Sequence, residues 1–576
     1  MTTVLKSCDL IMKGGVTSGV VYPDAIAEIA TAYRLHSIGG TSAGAIAAAM
    51  AAAAEYRRQG SPGKDDVAGF DMVRSLGPEL AEKLPTLFQP SPDLKRLFDL
   101  MLGVQAGKGP RNLILRWIVA IFRAYRPVSW VGLGLGIGTV IAGLASQLWV
   151  VTCAGVIAIL LLPVAFLWHC TRLAKRLPAS EYGICPGIRQ PGYTDEAFGE
   201  WIADRIDRVA GRTVSRDPLT VGELTAQGMA IAPMTTDITS HRPYQLPLKD
   251  PLHYFSEAEF RRIIPERIVS YMVARSAKVE HDDPDAPGDL RVLPVNGGFP
   301  VFLVARMSLS FPCLISSVPL WRVDRDRMKY EKGGPKKRLV RCLFTDGGVS
   351  SNFPIHFFDN ILPRWPTFGI ALGELPEGAA ADAPRVRLEH MPPDPTALPA
   401  QPVGGLASLA FALLNTAKDW QDTLQSQLPG YSERNVHVLL RGDEGGMNLN
   451  MKPETVTRLC NLGKEAGAML VRDFDFDEHR VRRAIASIPK IEEMCSGIAR
   501  ALKTPPAPAD YDAVLGAKVS SAYPETTPEW RRDVMVPFID QLAALAGDRF
   551  KDGPGLPPVD AKVRLRATPD RVPLRG

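Results

Sequence analysis

The sequence has no C-x-x-C pair. Its eight cysteines (Cys8, Cys153, Cys170, Cys185, Cys313, Cys342, Cys460 and Cys495) are scattered along 576 residues. No zinc ribbon, dithiol redox motif or disulfide-dense scaffold follows from that spacing, and a reducing compartment fits best. A charge excess of one sign is also missing: 67 basic side chains stand against 62 acidic ones, a net of +5. With no nucleic-acid motif and no clustered basic domain, no nucleic-acid partner is expected. The first thirty residues lack a charged n-region, a continuous apolar core and a cleavage site, so no secretory signal is expected. The balance that is present, 46% hydrophobic and 22% charged, excludes wholesale disorder and leaves room for a large core.

One local absence stands out. From Pro127 to Trp168 there are 42 consecutive residues without a charge. A membrane span needs about 20 apolar residues, so this length predicts two transmembrane helices joined by a tight turn at Ala145-Ser146-Gln147. Gly132, Gly134, Gly136 and Gly138 give small-xxx-small spacings that let a second helix pack closely. Trp130, Trp149 and Trp168 lie near the expected ends. Lys108, Arg111, Arg116, Arg123 and Arg126 precede the segment, and Arg172, Lys175 and Arg176 follow it. Positive charge on both flanks predicts that both ends stay in the cytoplasm. Asn112 to Tyr125 is basic and apolar enough to lie along an anionic membrane surface. The competing reading is a buried helical hairpin.

The rest divides more coarsely. Residues 8–56 read strand, glycine loop, helix, strand, tight turn, helix, and an insert of about 60–215 contains the hairpin. Residues 218–375 return to short apolar runs, MAIAPM, VFLVA and RLVRCLFT, expected as strands of an α/β sheet. A Pro/Gly-rich loop is expected over 377–405, helices over 406–428 and 453–503, a Pro-rich linker from Thr504, and a loose tail over the last 26 residues.

Gly40-Thr41-Ser42-Ala43-Gly44 is a G-x-S-x-G. A strand candidate, Leu35–Ile38, precedes it, and AIAAAMAAAAEY, almost pure helix former, follows from Ala45. Ser42 therefore falls on a strand-to-helix turn, where a nucleophile elbow requires it. The helix N-terminus turns free N–H groups toward the serine. The alternative is a Gly/Ser turn closing an ordinary βα unit. Gly14-Gly15-Val16-Thr17-Ser18-Gly19 follows a first strand, CDLIMK. It lacks the G-K-[ST] of a phosphate loop, and Val16 breaks a dinucleotide pattern. Its main-chain N–H groups can still serve an oxyanion. Both loops leave the C-terminal ends of candidate parallel strands joined by one crossover, so they are expected side by side. Asp346-Gly347-Gly348 ends a further strand; its plainer reading is a turn.

These three stretches, in this order, resemble the bacterial patatin-like phospholipases. Thr236-Asp237-Ile238-Thr239-Ser240 and Ala305–Pro312 (A-R-x-S-x-x-x-P) resemble two softer family regions. The likeness covers about residues 8–360. It implies a three-layer α/β/α sandwich with a mainly parallel sheet; to this the chain is expected to add an inserted transmembrane hairpin, an α/β or helical C-terminal extension over 361–503, and a Pro-rich linker, short helical segment and loose tail over 504–576. It implies a Ser42–Asp346 dyad and an oxyanion hole from Gly14, Gly15 and Val16. Gly19, Gly40, Gly44, Gly347 and Gly348 support the motifs. No metal and no cofactor are implied. The expected activity is hydrolysis of (phospho)lipid acyl esters at a cell membrane, the bacterial inner membrane, from its cytoplasmic side. The expected partners are the lipid substrate and the bilayer. The family loop usually reads G-G-G-x-R/K-G; here Val16 and Ser18 depart from it, which removes a basic side chain but no main-chain donor. Three rivals stay open: a membrane-anchored regulator or scaffold with the same fold, an acyltransferase, and a Ser-His-Asp hydrolase drawing on His356, His390, His437 or His479.

Overall fold

The computed structural model describes residues 5–105, 126–157, 175–330, 337–388, 431–503 and 527–549, apart from 16, 17, 215, 216, 361, 377, 381, 443, 446, 447 and 450, plus a few isolated positions between these segments. In chain order the strands are β1 (Lys6–Met12), β2 (Tyr33–Gly40), β3 (Gly183–Cys185), β4 (Ala230–Ile231), β5 (Met234–Asp237), β6 (Arg242–Gln245), β7 (Tyr254–Ser256), β8 (Leu290–Val292), β9 (Cys313–Ile315), β10 (Val318–Val323), β11 (Leu339–Asp346), β12 (Thr367–Glu374), β13 (Val386–Leu388) and β14 (Asn435–Leu440). The helices that shape the site are α1 (Tyr22–Ile29), α2 (Ala43–Gly60), α3 (Ala68–Leu87), α4 (Arg126–Ala145), α5 (Phe198–Val209), α6 (Val301–Ser308), α7 (Pro453–Asp473) and α8 (Phe476–Lys503).

The strands divide between two large sheets. The first runs β13-β14-β12-β1-β2-β4 and is parallel except for β13. Its central β1 is buried from Cys8 onward on both faces, as a strand with helices above and below must be. The second runs β6-β5-β11-β10-β7-β8 and is antiparallel throughout. A short parallel pair, β3 with β9, stands apart. The expected sandwich on one mainly parallel sheet is therefore corrected: β5–β8, β10 and β11 pair antiparallel and build a sheet of their own. VFLVA is not a strand; it opens α6, whose residues are buried all round, a pattern that a short apolar run alone does not separate from a core strand.

Alanine lets α2 sit deep. Its AIAAAMAAAA run is buried on nearly every side, against the parallel sheet and beneath α3, α5 and α6. A Cβ on Gly69 at the start of α3 would lie 2.9 Å from the Ala54 Cα near the end of α2, so the two helices run back along each other. The far end of α2 is pinned by a buried ion pair between Glu55 and Arg58. Arg58 also donates to the Ala30 carbonyl at 2.7 Å and the Tyr33 carbonyl at 2.8 Å, and Glu55 accepts the Leu35 N–H at 3.2 Å. The last third of the chain closes the layer. α7 seats Gly463 and Gly467 on the backbone of α1, where any side chain would collide with Val21 and Ala25. β12, β13 and β14 lie beyond residue 360 yet complete the parallel sheet.

The uncharged segment turns where expected, at Ser146–Gln147, with Gln147 at φ 55°. Its arms meet through glycine: Gly143 lies against Thr152, and Gly155 against Val140 and Gly136, whereas Gly134 and Gly138 face open space. The transmembrane assignment does not stand. Among the described residues no helix is long and apolar enough to cross a membrane. Five of the twenty residues of α4 are glycine, and the second arm is described as a continuous helix only over 149–157. The membrane localisation, which rested on a spanning hairpin, falls with it. The stretch Asn112–Tyr125, residues 158–167 and 504–526, nearly all of 406–428, His390 and the last 26 residues lie outside the described residues.

Candidate active site

Register places the first two motifs together. Met12 of β1 pairs with Gly40 of β2, so the glycine loop and the serine turn leave the sheet side by side. The turn is tight because backbone fills the space that side chains would need. A Cβ at Gly40 would lie 2.7 Å from the Met12 carbonyl oxygen, and one at Gly44 2.5 Å from it. Ser42 occupies φ 54°, ψ −125° at the N-cap of α2, a region non-glycine residues avoid unless the surroundings impose it. It is 4% exposed, and its Oγ has no hydrogen-bond partner among the described residues. The N–H of Ala43, the first residue of α2, is likewise unbonded among them.

Asp346 ends β11, opposite Thr235 of β5, and is 2% exposed. Its N–H donates to the Ser310 carbonyl at 3.0 Å, and its Oδ1 accepts the Gly348 N–H at 2.7 Å. Residue 347 has to be glycine, because a side chain there would run into the Met234 carbonyl.

The serine and aspartate belong to different sheets, and three ties join them. Only Ala232 and Pro233 separate β4 of the parallel sheet from β5 of the antiparallel one. Ser308, the last residue of α6, accepts the Ser42 N–H at 3.2 Å and donates to the Met234 carbonyl at 2.6 Å. The Asn352 carbonyl receives the Thr41 hydroxyl at 2.8 Å and the Gly14 N–H at 2.9 Å. The Asn352 Oδ1 would be 2.9 Å from a Cβ on Gly348 and would overlap one on Gly14. The glycine loop, the serine turn and the D-G-G turn thus meet around Asn352.

This changes the expected oxyanion set. The Gly14 N–H is already committed to Asn352. Gly15 N–H makes no hydrogen bond among the described residues, and Val16 lies outside them. Gly19 leaves room for the elbow: a Cβ there would be 2.6 Å from that of Ala43. Among the described residues of the two loops, Gly15 and Ala43 therefore carry main-chain N–H groups without a hydrogen bond. Asn352 and Ala43 are not legible as site residues in the sequence, since neither belongs to a motif by its side chain. Ser308 lies inside the A-R-x-S stretch, which by itself gives it no role.

Arg306, from the same stretch, is fully buried. It donates to Ser310 Oγ at 2.7 Å and to the carbonyls of Pro186 and Ser316 at 3.0 and 2.9 Å, and its guanidinium stands 5.6 Å from the Phe198 ring centre. Burial pushes its pKa down to about 9. It holds Ser310, whose carbonyl in turn receives the Asp346 N–H and, at 2.7 Å, the Thr345 hydroxyl. Asp237, of the T-D-I-T-S stretch, caps its own turn by accepting from Thr239 N–H and Ser240.

The late histidines are dispersed. His437 sits on β14, three strands from β2, about 14 Å across the sheet. His479 on α8 is paired with Glu433 at 3.2 Å. His356 follows Asn352 in a short turn, its ring edge-on to Phe357. On β11 and just before it, Arg338 is paired with Asp283 at 2.8 Å, and Arg341 with Glu181 at 2.6 Å and Glu259 at 2.9 Å. Among the described residues no cluster of His, Cys, Asp and Glu is arranged to hold a metal ion.

Fold and site together define an α/β protein with a serine on a strained strand–turn–helix elbow, tied through Ser308 and Asn352 to an aspartate turn at the end of a strand of the second sheet. The chain belongs to the family of the RpoH suppressor of Rhizobium meliloti (strain 1021), with which it is 32% identical over 551 residues, 83% of this chain and 84% of that one. No family model matches it. The crystal structure of VipD from Legionella pneumophila aligns over 94% of this chain and 88% of its own at 11% identity, with a TM-score of 0.25, too low to define a shared fold.

Proposed function

We propose that the protein is a serine hydrolase that cleaves acyl esters of lipids, as its resemblance to the patatin-like phospholipases implies, with Ser42 as nucleophile and Asp346 as base. The observation that carries this reading is the elbow. A buried serine hydroxyl with no hydrogen-bond partner among the described residues is held at a strained backbone angle on a helix N-terminus, and the same small cluster of hydrogen bonds fixes the aspartate.

In this scheme Ser42 Oγ attacks the ester carbonyl carbon while its proton passes to the Asp346 carboxylate. The carbonyl electrons move to oxygen, which accepts hydrogen bonds from the Gly15 and Ala43 N–H groups. Collapse of the tetrahedral intermediate breaks the bond to the alcohol, and Asp346 returns the proton to it. Water then attacks the acyl-serine by the reverse steps. A carboxylate of ordinary pKa near 3.9 is a weak base toward an alcohol. Much of the rate must therefore come from the main-chain donors, each worth about 3 kcal/mol.

The test is covalent. A fluorophosphonate probe should label the purified protein at Ser42, and p-nitrophenyl butyrate should be hydrolysed. Both signals should vanish in Ser42→Ala and Asp346→Asn and persist when His356, His437 or His479 is replaced by alanine. Folded protein that is neither labelled nor active refutes the proposal. Loss of activity in a folded His356→Ala variant would instead move the base to a histidine.

A further inference from the structure

A cavity of about 80 Å³ abuts the elbow on the side of α1, α2 and α3. Its lining contains no charged residue and no hydroxyl. One water needs roughly 10–15 Å³ together with polar partners, and apolar cavities of this kind stay dry and accept apolar guests. The cavity begins at Ala43, next to the nucleophile, and at Leu309, next to Ser308. It reaches Met50, seven residues further along α2, which is about 10 Å of helix. Because α3 runs back along α2 from the Gly69–Ala54 approach, Val73 stands level with Met50, the lining residue of α2 farthest from Ser42, and both line the cavity. The opposite wall includes Trp201 of α5. Most of the far wall therefore comes from the insert of 60–215 rather than from the strands that carry the motifs.

We infer that this cavity is the acyl-chain subsite, taking one unbranched chain of medium length, and that Val73 and Met50 set how long that chain can be. The inference rests on the esterase reading. An acyl carbon bonded to Ser42 Oγ has its chain leaving beside Ala43, where the apolar lining begins. The floor formed by Val73 and Met50 then stops the chain about two helical turns in.

The test uses the full-length protein with p-nitrophenyl butyrate, octanoate and palmitate. Wild type should favour octanoate. Val73→Phe, which fills the deep end, should lower the octanoate-to-butyrate ratio of kcat/KM by about tenfold or more. Met50→Ala, which opens the floor, should move the preference toward palmitate and decides the matter if Val73→Phe does not fold. A second readout does not need turnover. Octanoic acid should raise the Tm of Ser42→Ala protein, and this rise should disappear when Val73→Phe is added. Unchanged chain-length ratios in both variants, or equal stabilisation with and without Val73→Phe, would overturn the subsite while leaving a butyrate-cleaving Ser42 intact. If no ester is turned over and Ser42 is not labelled, the esterase reading fails, and the octanoic acid shift alone decides whether the cavity takes an acyl chain.

Discussion

Replacing Ser308 with alanine tests how the elbow is held. The hydroxyl accepts one buried hydrogen bond, from Ser42 N–H at 3.2 Å, and donates another, to the Met234 carbonyl at 2.6 Å. Alanine removes both at once and adds no bulk. An orphaned buried donor or acceptor costs about 1–3 kcal/mol, so with two of them the loss of stability should be about 2–6 kcal/mol. Part of that cost falls on the strained Ser42 conformation, which has lost one of the contacts imposing it. If about 2 kcal/mol appears in the transition state, acylation slows about thirtyfold. Two measurements separate the contributions: the urea midpoint gives the stability, and the second-order rate of fluorophosphonate labelling, scaled to the folded fraction, gives the reactivity of Ser42. Ser308→Thr keeps the hydroxyl and should recover the labelling rate better than it recovers stability. A lower midpoint with an unchanged labelling rate would show that the hydroxyl supports the fold without positioning the nucleophile. No change in either would refute the reasoning altogether.

Three further perturbations probe the core and the elbow. Arg58→Ala strips the partner from Glu55 inside the core and should cost about 3–5 kcal/mol, read as a lower urea midpoint. Gly44→Ala places a methyl group 2.5 Å from the Met12 carbonyl oxygen. Since backbone has to move, it should abolish labelling at Ser42 while circular dichroism keeps its helical signal. His253 is buried between Tyr244 and Phe344, and burial lowers its pKa to about 4. Because the folded value lies below the unfolded one near 6.5, its stabilising effect is full above pH 6.5 and is lost as pH falls toward 4. Unfolding free energy should thus decline through that window in wild type and decline less in His253→Phe, measured by urea titration across pH.

How much of the site is legible in the sequence depends on which atoms do the work. The three glycine-bearing stretches can be read because glycine is demanded there by backbone contact: Gly40 and Gly44 against Met12, Gly347 against Met234. Strand order suggests that Ser42 meets the Asp346 turn, but it does not compel the meeting, which depends on a second sheet whose short antiparallel strands pair across the whole of 234–346. The commitment of Gly14 to Asn352 is invisible in the sequence, because a main-chain bond leaves no mark on composition. VFLVA misleads because five apolar residues satisfy a core strand and a buried helix equally well. The uncharged run misleads because length and charge alone favour a span. Its turn and its glycine-packed arms are within reach of the sequence, but the extent of each arm is not.

The pairing of β1 also governs when the surroundings of Ser42 can be completed. β1 precedes these partners by hundreds of residues: its neighbour β12 ends at Glu374, the next strand β14 ends at Leu440, and α7 follows to cover α1. A nascent chain carrying only its first three hundred residues holds the Ser42 pentapeptide without Asp346, Asn352 or the later strands that complete the sheet around the loop. The surroundings of Ser42 are therefore assembled only once these later strands and α7 have been made, and a product truncated before them should not be labelled at Ser42 by a fluorophosphonate probe, however intact its serine motif.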